Sequence, residues 1–172
     1  MGRRLRFRGE SRNKVDSKGR VSIPASFRRV LEAGDPDWSA GNNPNFVIVY
    51  GDHRRQYLEC YTIEEMEAVE DRISAMKRGS QKRRLLERLF STQSVTTSVD
   101  ETGRIVLPAK LRDKIGLEDW AYFASNVDTF QIWKPETFEE IELGGTAEFL
   151  DEMPADFDPL ELLDEDDETE EA

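Results

Sequence analysis

Residues 15–28 read VDSKGRVSIPASFR, and 84 positions later residues 99–112 read VDETGRIVLPAKLR. A chain that spells one local structure twice folds either as two small units or as one pseudo-symmetric body. Each copy opens on an aspartate, Asp16 or Asp100, whose carboxylate can accept from the backbone two residues on and close an Asx-turn. Gly19 or Gly103 follows where such a turn calls for positive φ. A β-prone run comes next, RVSI or RIVL, then Pro24 or Pro108, suited to a first helical position. Helical spacing follows at Phe27, Val30 and Leu31, and at Leu111 and Ile115, with Gly34 and Gly116 placed as C′ glycines.

The likeness continues beyond the motif. CYTIEEMEAVE (60–70) matches IWKPETFEEIE (132–142) at an offset of 72, so the first copy carries about twelve extra residues. Residues 33–45 and 51–56, rich in Gly, Pro, Asn and Asp, read as the loops that hold them. Further strands are expected in LRFRG, NKV, NFVIVY and YLECY of the first copy and in STQSVTTSV, WAYFAS and FQIW of the second. Between the copies, Thr62-x-x-Glu65 is a capping box ahead of Ile63, Met66, Val69, Ile73 and Met76 at helical spacing. Gly79-Ser80 interrupts that helix, and a second begins in QKRRLLERLF. The helix from Pro135 is expected to stop before Gly144-Gly145.

The expected organisation is a first repeat over 7–64, a helical linker over 65–92, a second repeat over 93–142 and an acidic tail over 143–172. A unit of roughly 50 residues buries little surface and leaves strand edges open. One composite, mainly β, mixed α/β barrel with peripheral helices is therefore expected. The tail, ending LLDEDDETEEA, lacks apolar mass and reads as disordered. Phe149, Leu150, Met153, Phe157, Leu160 and Leu163 leave open that it docks on a partner.

Composition excludes several chemistries. Phosphate-loop, dinucleotide-fold, zinc-protease and nucleophile-elbow motifs are all missing from the sequence. The single Cys60 and single His53 are too few for a structural zinc site, and Cys60 in an alternating apolar stretch reads as core. No metal, cofactor or catalytic residue is expected. Asp16 and Asp100 are accounted for by their turns. No apolar run is long enough to span a bilayer and no signal peptide is read, so a cytoplasmic protein is expected.

Charge is the informative quantity. The net charge of -12 hides two opposed segments: residues from 136 onward hold 17 acids and no Lys or Arg. Residues 1–135 carry 24 Lys and Arg against 19 Asp and Glu. Arg3, Arg4, Arg6, Arg8, Arg12, Lys14, Lys18 and Arg20 crowd the beginning, with only Glu10 and Asp16 among them. In RLRFR a strand would set Arg4, Arg6 and Arg8 on one face and Leu5 and Phe7 on the other. Such a cluster points to a polyanion such as DNA. Arg20 and Arg104 have two readings, contact with DNA or pairing with Asp16 and Asp100 to brace the turn. Lys14 and Lys18 flank only the first motif, so the first copy is expected to lead in DNA contact.

The paired Asp-x-x-Gly-Arg-φ-x-φ-Pro-x-x-φ-Arg motifs (φ apolar), with FRG before and LECYTIEEME after, resemble the MraZ family of bacterial transcriptional regulators. That resemblance spans roughly residues 7–142. It implies two SpoVT/AbrB-like domains in a pseudo-twofold double-split β-barrel of the swapped-hairpin type, and assembly of homo-oligomeric rings. It further implies a nucleoid-associated repressor of the division and cell-wall gene cluster, bound to direct repeats in double-stranded promoter DNA. The DNA contacts implied are Arg20 with Lys18, Lys14 and Arg8, and Arg104 as the second-copy match; Arg6 and Arg12 join them from the basic cluster. An antitoxin-like protein whose acidic tail binds a toxin is the alternative.

Overall fold

Strands of one copy hydrogen-bond to strands of the other in a computed structural model that describes residues 4–164. Arg3 of the basic cluster and the acidic run 165–172 lie outside the described residues. The first copy supplies β1 (Glu10–Lys14), β2 (Arg20–Ser22), α1 (Ala25–Ala33), β3 (Asn45–Val49) and β4 (Tyr57–Thr62). The linker forms α2 (Ile63–Ser74), α3 (Gln81–Glu87) and a π-type turn, Arg88–Thr92. The second copy repeats the order as β5 (Ser94–Ser98), β6 (Arg104–Val106), α4 (Ala109–Lys114), β7 (Trp120–Asn126) and β8 (Thr129–Trp133), followed by α5 (Pro135–Phe138).

The six-stranded antiparallel sheet runs β1-β7-β8-β4-β3-β5. Exchanging the copies reverses that order onto itself, which is the signature of a pseudo-twofold. Each copy's first strand pairs with the other's third: Arg12 faces Tyr122 in β1–β7, and Val47 faces Thr96 in β3–β5. At the centre, β4 pairs with β8, with Cys60 opposite Phe130. No closed barrel is seen in the strand pairing of the described residues. β1 and β5 remain edges, and β2 and β6 pair with each other in a separate ribbon. Each of these strands is three residues long and is followed within two residues by a proline that cannot donate to a ladder.

The core is shared. Phe7, Phe27 and Phe46 from the first copy gather around Phe130 of the second at ring separations of 5.1–5.9 Å, and Phe123 joins at 6.2 Å. Cys60 is fully buried within it, and burial raises its thiol pKa well above the ordinary value.

Local expectations divide. Thr62 caps α2 by accepting from the Glu65 N–H at 3.0 Å, and Ser80 caps α3. Pro24 and Pro108 stand one position earlier than expected, as the residues before α1 and α4. Gly34 ends α1 at an ordinary φ of -91°. What demands a glycine there is close approach, because a Cβ would lie 2.5 Å from the Thr62 Cβ. The expected strand over LRFRG reduces to a single bridge, Phe7 to Val127, since Gly9 at φ 94° turns the backbone before β1 begins. Phe7 is buried, while Leu5 is exposed rather than sharing its face.

The described residues from Phe138 to Asp164 belong to a second unit. It contains a π-type turn (Glu139–Leu143), α6 (Gly144–Asp151) and a 3-10 turn (Pro159–Glu161). The expected stop before Gly144 and the expected disorder are both corrected over the described part. Gly144 takes helical angles, φ -61° and ψ -46°, because glycine weakens a helix by roughly 1 kcal/mol without ending it. The Phe149 and Phe157 rings meet edge to face at 6.4 Å.

Candidate nucleic-acid interface

The two motifs meet in the β2–β6 ribbon. Arg20 faces Val106, Val21 faces Ile105, and Ser22 faces Arg104. Val21 and Ile105 are buried, so the alternation of a strand places Arg20, Ser22, Arg104 and Val106 together on the outer face. The two arginines are diagonal neighbours across the ladder, with backbones roughly 7–8 Å apart by sheet geometry.

Both arginines brace their turns, the second of the two readings, and both side chains stay partly exposed. The Asp16 carboxylate accepts from the Lys18 and Arg20 backbone N–H groups, each at 2.9 Å, and from the Arg20 Nε at 2.7 Å. Asp100 accepts the matching backbone bonds from Thr102 and Arg104. Arg104 donates its Nε to the Thr102 hydroxyl at 3.0 Å and lies 3.8 Å from the Asp100 carboxylate. The backbone bond and then the guanidinium of Arg20 hold the Asp16 pKa down to about 2. Asp100 is lowered first by the Arg104 backbone N–H and then by the Thr102 side chain. Nε of Arg20 is occupied by Asp16, and the side chain is 40% exposed. A fork held this way loses less entropy on meeting two phosphate oxygens or a guanine edge.

The turns differ in one respect that the sequence conceals. A Cβ on Gly19 would fall 2.2 Å from the Leu107 carbonyl oxygen of the other copy, whereas one on Gly103 would meet nothing within 4 Å. Reciprocal backbone bonds lock the turns to the ribbon: Leu107 N–H to the Gly19 carbonyl and Ile23 N–H to that of Gly103. The sequence alone gives no role to the last arginine of each motif, Arg28 or Arg112. Arg28 donates to the Asp100 carbonyl of the opposite turn, and Arg112 donates from Nε to the Leu107 carbonyl beside Gly19. Their signal was their recurrence at the end of both motifs.

The remaining cations do not form one patch. Lys14 and Lys18 are exposed at the first turn, next to the ribbon. Arg12 lies with its guanidinium carbon 5.1 Å from the centre of the partly exposed ring of Trp120, a residue of strand β7. Arg6 instead pairs with Asp128 at 2.5 Å, and Arg4 contacts Glu65 and Asp128. These pairs tie the beginning of the chain to the β7–β8 turn and to α2. Lys14 pairs with Trp120 at the opposite end of β7, about 20 Å away at the usual rise per residue. Arg8 is exposed near the Arg6 end. The structure thus sets Arg20 and Arg104 on one face, with Lys18 in the first turn and Lys14 at the end of β1 that leads into it, and leaves Arg6 and Arg8 elsewhere. Among the described residues no group of three or more His, Cys, Asp or Glu could hold a metal ion.

A family model described as "MraZ protein, putative antitoxin-like" matches residues 6–89 and again 90–152. The chain belongs to the MraZ family. Relatives named "Transcriptional regulator MraZ" include one from Ruegeria sp. (strain TM1040), 66% identical over 95% of this chain and 97% of its own length. Another, from Ruegeria pomeroyi, is 65% identical over 92% and 95%. A more distant MraZ from Rickettsia bellii is 33% identical over 74% and 80%. The two MraZ segments divide within the π-type turn Arg88–Thr92.

Proposed function

We propose that the chain is a non-enzymatic transcriptional regulator that binds double-stranded DNA through the outer face of the β2–β6 ribbon. The observation carrying this reading is the convergence of Arg20 and Arg104, one from each copy, on a ribbon edged by Lys18 and Lys14. The relatives' name supports regulation. Family membership supports the finer reading: repression of the division and cell-wall gene cluster from direct repeats in its promoter, by a ring of copies at the nucleoid in the cytoplasm. The exchange of strands between copies is the arrangement expected of an AbrB-like double-split fold. In a ring each further contact with a spaced array becomes effectively intramolecular, so a small basic patch gains avidity.

Selection of bound fragments from the organism's own genome, at a defined salt concentration, tests this reading. Enrichment of spaced direct repeats upstream of that cluster is expected. The second reading, an antitoxin-like protein, is favoured by the family's description and by the apolar side chains of the acidic tail. It predicts instead a tight complex with the product of an adjacent gene.

A further inference from the structure

Away from the ribbon, α2, α3 and the π-type turn enclose a groove of about 490 Å³. Val69, Ile73, Met76, Leu86 and Phe90 line it, with Arg72 at its margin. The surrounding segment 72–88 carries seven Lys and Arg against Glu87 alone. Arg83 is used internally: it donates to the Ser74 and Met76 carbonyls at the end of α2 and pairs with Glu87. Lys77, Arg78, Lys82, Arg84 and Arg88 are exposed. An apolar floor inside a cationic rim fits an occupant that is apolar and acidic at once. A nucleic acid backbone would match the rim and gain nothing from the floor.

The chain contains such an occupant. Residues 138–164 hold ten Asp and Glu and no Lys or Arg. They also expose Phe149, Leu150, Leu160 and Leu163, at 41–67% of full exposure. Floor and occupant are complementary in polarity, and rim and occupant in charge. We propose that the groove receives the 138–164 segment of a second copy of this chain. Such an interface is heterologous, groove to tail, and repeats from copy to copy until the rotation closes.

Disulfide trapping between full-length chains tests the proposal. One tagged chain carries Leu86→Cys in the groove, and a differently tagged chain carries Leu150→Cys in the tail. The native Cys60 is buried and serves as the background. Mixed chains are expected to form the heterodimeric disulfide about tenfold faster than a control pair with Glu67→Cys on exposed α2, reflecting the raised effective concentration at a docked site. Adding Arg84→Glu and Arg88→Glu to the groove chain is expected to abolish that excess, with folding checked by circular dichroism. Trapping no faster than the control overturns the proposal. So does trapping confined to a chain bearing both cysteines, which would place the tail in its own groove. A third contrary result is loss of duplex binding in the Arg84→Glu, Arg88→Glu chain with no trapping in its parent, marking the groove as a nucleic-acid surface.

Discussion

Asp16 and Gly19 show how two residues of one motif answer to different physics. Asp16 satisfies three donors, and its pKa falls to about 2 from an ordinary carboxylate value. A depressed folded-state pKa contributes stability that is present above the unfolded value and is lost as pH falls through the folded one. The stability difference between the native chain and Asp16→Asn should therefore be constant from neutral pH to about 4 and shrink as pH drops toward 2. Urea unfolding across that range measures it, and a difference independent of pH would contradict the assignment. Gly19 and Gly103 share φ near 80°, so alanine at either should cost about 1–2 kcal/mol for the left-handed backbone. Gly19→Ala should cost roughly 1–3 kcal/mol more, because its methyl meets the Leu107 carbonyl while that of Gly103→Ala meets open space. The turn was legible at this scale, since Asp and Gly act on their own backbone. The reach of Arg28 to the Asp100 carbonyl of the opposite turn was not, because it depends on how the copies are placed in space.

Elements that obey local rules were legible and elements decided by partners were less so. The Thr62 cap, the break at Gly79 and the turn-strand-helix order follow from spacing alone. Strand exchange does not: β1 pairs with β7 and β5 with β3, although each has closer neighbours in sequence. The open ladder likewise reflects where β2 and β6 find hydrogen bonds, and the helix through Gly144 reflects the lack of a true stop signal. Exchange has a consequence for folding. Cut at Gly79, neither half retains the partner of its first strand. Residues 1–79 and 80–172 made separately should each lack a cooperative thermal transition, and mixing them should restore one. Two halves that melt cooperatively alone would show that the copies are independent domains.

Across the whole molecule, charge separates what the fold joins. A cationic ribbon built equally by both copies and a C-terminal segment without a single cation occupy one chain of net charge -12. The sequence pointed to the first copy as the leading contact, on the strength of Lys14 and Lys18. The register places Arg104 beside Arg20, so the second copy contributes an arginine to the same face. The most direct measurement is binding of the Arg20→Ala, Arg104→Ala and doubly substituted chains to promoter DNA over a range of salt, alongside unrelated duplex. If the arginines read bases, each single change should weaken promoter binding by about 1–3 kcal/mol with little effect on unrelated duplex. If they contact phosphate, affinity should fall on both DNAs and the salt slope should shrink by about one unit per arginine removed. A folded double variant that binds the promoter as the native chain does, with the same salt slope, would contradict the placement of DNA on this ribbon.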